Sequence, residues 1–174
     1  SEGRQILAAL HSGLGNLQKA AGRYEEAKGH FQEAFRIREM LTKDFPEAGY
    51  ELELAESCRD LSDVSYEKWK RTEQRSHFSQ IAREQVPQAL EEITASRVWR
   101  EKRVAILEKA AGERATAASR QELARAYHDM ERFCEAESAV EESAMNRAWI
   151  GEHFSVGGLL SAEQNDIWRK KQNE

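Results

Sequence analysis

Five histidines (His11, His30, His77, His128 and His153), two cysteines (Cys58 and Cys134) and adjacent carboxylates such as Glu25-Glu26, Glu91-Glu92 and Glu141-Glu142 could do chemistry in this chain. Helical metal sites need a second ligand one turn away, as in Glu-x-x-His or His-Glu-x-x-His. No histidine here has Glu three residues before it, and the histidines lie far apart in the sequence. The cysteines lack zinc-type spacing and are too few for a disulfide framework. Buried small apolar side chains are the expectation for both. The carboxylate pairs read as solvated helix faces. No Gly-x-x-x-x-Gly-Lys or Gly-x-Gly-x-x-Gly cradle for phosphate is present. Catalysis needs converging groups, so neither an enzyme activity nor a metal or cofactor is expected.

Such side chains must be carried by helices. The chain has 174 residues, of which 33% are charged, 40% are hydrophobic and only 2 are Pro. That profile suits solvated helices around one core and is too apolar for a disordered chain. Net charge is −5, so no global field draws nucleic acid. No run of 18 apolar residues occurs, and no membrane span is expected. Ser1-Glu2-Gly3-Arg4 has neither Met nor an apolar signal core. It reads as the start of a segment of a longer, cytoplasmic protein.

Leu7, Leu10, Leu14, Leu17 and Ala21 recur at helical steps. Gly22 can supply the positive φ of a tight turn. Tyr24, Ala27, Phe31, Ala34, Phe35 and Leu41 then resume the period, and Phe45-Pro46 ends it. The two stripes are expected to face each other in an antiparallel hairpin, with Gly15 and Ala27 allowing close approach. A third helix is expected over residues 51–69, with Leu52, Ala55, Leu61, Val64 and Trp69 inward. A fourth is expected from about Pro87 to Ala110, with Leu90, Ile93, Val98, Ile106 and Leu107 inward and Gly112 as the next break. Residues 117–131 and 133–152 are expected to form another hairpin, because Ala124, Glu131, Phe133, Ala136, Val140 and Ser143 stand at the spacings of Gly15, Gly22, Tyr24, Ala27, Phe31 and Ala34. Gly157-Gly158 precedes a last helix whose Ser161 and Gln164 have capping-box spacing. In the middle, Ser62 stands for Gly15 and Ala89 for Ala27, leaving about fifteen extra residues near 70–85. These read as a helix continuation or an ordered insertion, and as a contact edge. Trp69, Trp99, Trp149 and Trp168 are expected in packing.

The string Leu14-Gly15 … Gly22-Arg23-Tyr24 … Ala27 … Phe31 … Ala34 … Pro46 resembles the tetratricopeptide (TPR) repeat. It is similar to repeats of kinesin light chains and, more closely, to the long repeats of multidomain bacterial proteins. The resemblance is specific over 6–64 and thinner from 117 to 150. It departs from the pattern at Gln18, at Ser62 and in the middle insertion. It implies an all-α superhelix of about seven helices in a single 1–174 domain: repeat 1 over 6–46, an irregular repeat 2 over 50–110, repeat 3 over 117–152 and a cap over 161–172.

The resemblance also implies a scaffold or sensor whose concave face, lined by the first helix of each pair, binds a peptide or a neighbouring domain. The positions that carry over are Ser12, Asn16 and Lys19; Arg59, Asp63 and Tyr66; and Gln121, Arg125 and His128. Arg59 and Arg125 could hold an acidic group by bidentate contact. An alternative is a regulatory module for an enzymatic domain of the parent protein. Nucleic-acid binding through the basic stretches 68–83 and 97–109 is a third reading. In the latter, Arg97, Arg100, Lys102, Arg103 and Lys109 outnumber Glu101 and Glu108, whereas 129–142 has six acids against Arg132. These opposite faces are expected to attract each other within the fold.

Overall fold

Gly22 takes φ +73° and reverses the chain between helix α1 (Glu2–Ala20) and helix α2 (Tyr24–Asp44). The turn is closed by backbone bonds from Gly22 N–H to the Lys19 carbonyl and from Arg23 N–H to the Gln18 carbonyl. α2 opens with Glu25 and Glu26 at its positive N-terminal end and stops at Phe45, the residue held out of the α region by Pro46. The computed structural model describes residues 1–46, 49–76, 82–113 and 116–153, with side chains described outside 73–90 and 139–153.

Three more helices follow among the described residues: α3 (Glu51–Ser76), α4 (Ala82–Glu113) and α5 (Ala117–His153). The fold is all-α. The chain divides into two compact units, Ser1–Phe133 and Cys134–Glu174. Within the first unit α1 packs on α2, α2 on α3, and α3 most extensively on α4. One core cluster joins Ala27, Phe31 and Phe35 of α2 to Leu54, Cys58, Leu61 and Val64 of α3. Trp99 of α4 packs against this cluster and meets Phe35 edge-on at 5.2 Å. A second cluster, Ala8, Ile37 and Leu41, ties α1 to α2, and a third, Ala55, Leu107 and Ala126, ties α3, α4 and α5.

Several expectations are corrected. Five helices occupy the described residues where six of the expected seven would lie, the seventh being the cap at 161–172. The hairpin turn expected near Arg132 is absent: α5 is helical through it. The matched position explains this. Gly22 reaches φ +73°, Glu131 stands in its place, and no non-glycine residue among those described takes positive φ. Of the two readings left open for 70–85, helix continuation holds among the described residues: α3 runs on through Ser76, and α4 begins at Ala82, five residues ahead of the start expected at Pro87. Gly112 lies inside α4 rather than ending it. Val98 is exposed and Cys134 is exposed, against the expectation of burial. The expected cap at 161–172 and Trp168 lie outside the described residues, as does the side chain of Trp149.

The largest correction concerns α1. Its leucine stripe does not face α2. α1 meets α2 through its opposite side, where Ala8 and Gly15 are buried. A Cβ on Gly15 would stand 2.6 Å from the Phe31 ring, so the close approach read from the sequence is real but uses a different face of the helix.

Candidate interaction site

On α1 and α3 the polar residues flanking the packed faces come together. Arg38, projecting from α2 and buried, donates from Nη1 to Ser57 Oγ of α3 at 2.7 Å and to Ser12 Oγ of α1 at 3.2 Å. One buried guanidinium thus joins three helices through hydroxyl acceptors, which satisfy part of its hydrogen-bonding capacity. Beside it lies Asp60, whose carboxyl burial pushes up to about 6; Glu56 adds to the rise, while Arg59, Lys19 and Arg38 pull it back. Asp63 is raised for the same reason, and Arg100 opposes the shift most strongly. Arg100 Nη2 lies 3.5 Å from Asp63 Oδ1. Burial disfavours the charged acid and the surrounding cations favour it.

The candidate residues are thereby placed as follows. Lys19, Arg59 and Asp63 share one electrostatic neighbourhood around Asp60. Lys19 Nζ sits 5.7 Å from the centre of the Phe31 ring. Ser12 joins them through Arg38, and Asn16 is exposed on the same helix. Tyr66 stacks obliquely on Trp69 at 5.2 Å and edge-on to Phe133 at 6.1 Å, with the Arg100 guanidinium 4.9 Å from the Phe133 centroid. Gln121, Arg125 and His128 are exposed along α5. Arg125 Nη1 donates to Glu122 Oε1 at 2.5 Å, and His128 Nδ1 lies 3.6 Å from Glu131. Glu122 links this group to the rest, since it also lies 3.3 Å from buried Arg103.

A cavity of 170 Å³ opens between α3, α4 and α5, lined by Glu53, Glu56, Arg59, Arg103 and Glu122 over a floor that includes Leu52 and Leu107. That is well below the ~300 Å³ at which small-molecule pockets begin. It is the size of a side chain, and its rim is already ion-paired: Arg59 to Glu56 at 2.7 Å, and Arg103 to Asp129 at 2.7 Å.

The basic stretch of α4 is divided: Arg100 and Arg103 turn inward, whereas Arg97, Lys102 and Lys109 are exposed. Arg100 and Arg103 pair with Asp63, Asp129 and Glu122, and Lys102 lies 4.3 Å from the centre of Phe35. The attraction expected between basic and acidic stretches is thus present in the Arg103–Asp129 pair. Lys68, at the head of the other basic stretch, contacts Glu25 and donates to Glu92 Oε1 at 2.5 Å. Burial works against its charge, but these bonds outweigh it and hold the ammonium above its ordinary pKa, while the bond from Lys68 lowers the Glu25 carboxyl.

Several residues were not legible as parts of one site. Arg38, Asp60 and Arg100 are separated in sequence and meet only through helix packing. His11 and His30, far apart in the chain, bring their Nδ1 atoms to 3.2 Å across α1 and α2, so one ring donates and the other accepts. Two ligands are too few for a structural metal site, and no cluster of three metal-ligating side chains occurs among the described residues. Cys58 is wholly buried, its thiol pushed up to about 12, and is inert packing. No described helix is long and apolar enough to cross a membrane. No protein-family model, curated protein or solved structure matches this chain.

Proposed function

We propose that this chain is a TPR-type helical-repeat scaffold or sensor module that binds a peptide or a neighbouring domain along the face built by α1, α3 and α5. The observation that carries the reading is the Asp60 neighbourhood. Asp60, a carboxylate that burial raises to about 6, lies within the fields of Arg59, Lys19 and Arg38, which favour its charge, and of Glu56, which opposes it, next to half-buried Asp63. A ligand donor arriving there gains a charge-assisted bond in a partly desolvated setting. The side-chain-sized cavity beside Arg59 favours an extended chain over a small molecule. The pairing of Arg100 and Arg103 with Asp63, Asp129 and Glu122 weighs against nucleic-acid binding. Two free thiols suit a reducing compartment such as the cytoplasm.

The test is selection of a displayed random-peptide library on the purified chain, followed by mapping of backbone amide shifts. Selected peptides should perturb residues around Ser12, Asn16, Lys19, Arg59 and Asp63 and lose at least about tenfold in affinity with Lys19→Glu or Asp63→Asn. Perturbations confined to other surfaces, or the absence of any selected peptide, would count against this face.

A further inference from the structure

Leu7, Leu10, Leu14 and Leu17 follow one another at steps of three, four and three residues, with Ala21 four further on. This is the a/d spacing of a coiled-coil seam. The four leucines and the adjoining Ile6 are between 45% (Leu14) and 69% (Leu17) exposed. The matched positions on α3 are Leu54, Ser57, Leu61 and Val64, and none of these is more than 6% exposed. There the cover is α2, which lays Phe31 and Phe35 on the cluster. The face that α1 turns outward is therefore one that, in its internal counterpart, is buried by a helix.

We infer that α1 covers this seam with α1 of a second copy of the chain, in an antiparallel, two-fold symmetric pair. Three observations select that occupant. The seam is self-complementary: placing Leu10 against Leu14 of the other copy sets Leu7 against Leu17, and the helix dipoles then run opposite ways. Between Arg4 and Lys19, α1 carries no acidic or basic side chain except His11, so two copies meet without like-charge repulsion. Ala9 and Gly13 flank the seam and let the helices approach. About 100 Å² of exposed surface on each of these side chains gives ~500 Å² per copy, and ~1,000 Å² in total reaches the lower bound of a specific interface. The pair closes on itself and leaves the α1–α3–α5 face free, so it stands independently of the peptide-binding reading.

Sedimentation velocity on the full chain from about 5 to about 500 µM tests it, a range matched to the micromolar affinity of a small interface. The expected result is a rise from monomer towards twice that mass. Leu10→Glu and Leu17→Glu should each weaken association at least about tenfold, with helical circular dichroism unchanged, because both side chains are exposed. Val98→Glu, an exposed apolar site elsewhere on the first unit, should leave association intact. A chain that stays monomeric over the range overturns the inference. So does association that survives both leucine variants, or that Val98→Glu weakens as much.

Discussion

Leu7, Leu14 and Leu17 of α1 and Leu54, Leu61 and Val64 of α3 hold matched positions in two helices of similar pattern, yet the first set is exposed and the second is buried. The local code is nearly the same. What differs is the neighbour. α3 follows α2 and is packed against it, whereas among the described residues nothing covers the seam of α1. Apolar periodicity specifies that a helix has a face to bury. It does not specify what buries it.

The sharpest way to break this comparison is truncation at matched sites. Leu61→Ala should cost about 2–5 kcal/mol of stability in a denaturant melt, because it leaves a cavity in the α2–α3 core. Leu14→Ala should change stability of the monomer by less than about 0.5 kcal/mol, as surface substitutions do. Equal losses would mean that α1 is covered in solution much as α3 is.

The second test contrasts the small residues at the two crossings. Gly15→Ala pushes a methyl into the buried Phe31 ring, at a cost of about 1–3 kcal/mol that the better helix propensity of Ala only partly offsets. Ser62→Ala keeps the α3 backbone where it is and removes a hydroxyl that bonds the Arg59 carbonyl, about 1 kcal/mol at most. Thermal melts should rank the first change as the more damaging. The reverse order would place the tight crossing at α3.

A third contrast is electrostatic. Asp60 is partly buried, while α1 has exposed Gly13 at the matched position. Because its carboxyl titrates near 6 in the fold and near 3.8 when free, the folded state holds the proton more tightly. Asp60 therefore favours folding below about pH 4, and that contribution is lost as pH rises through 6. Asp60→Asn should be more stable than the parent by about 1–2 kcal/mol above pH 6, after discounting for residual solvent, with the gain appearing between pH 4 and 6. A pH-independent difference in urea midpoints would refute the assignment.

The smallest effect belongs to the turns. Gly22→Ala should cost about 1 kcal/mol, because φ +73° disfavours any side chain, and the added methyl must also displace the Arg71 guanidinium. Glu131→Gly should cost a similar ~1 kcal/mol through helix propensity alone. Circular dichroism of the latter should show no new turn, since α5 residues such as Ala126 and Phe133 are already packed as a helix.

Much of the local structure was legible. Gly22 and Phe45-Pro46 mark boundaries because glycine reaches positive φ without strain and Pro46 pushes Phe45 out of the α region, and no packing can change that. The inward residues of α2 followed from period and residue type, and so did most of those on α3. The repeat echo in α5 misled, because five of the matched positions report packing potential and only the sixth, glycine against glutamate, reports whether the chain can turn. The polar site was legible in pieces: Lys19, Arg59 and Asp63 could be placed on first helices, but Arg38, Asp60 and Arg100 complete it through contacts spanning long stretches of sequence.

By itself, then, the sequence determined that the chain is helical, where α1 and α2 must part, and that α1, α2 and α3 each have an apolar side, since backbone sterics and periodicity act within a few residues. The tertiary structure alone decided that α1 meets α2 through Ala8 and Gly15 and turns its leucines outward. It also decided that Asp60 is buried within reach of the charges of Arg59, Glu56, Lys19 and Arg38, and that Arg100 and Arg103 of α4 are spent on α3 and α5. These outcomes depend on which surfaces remain after the larger ones have paired, and that competition is settled only when all the helices are present together.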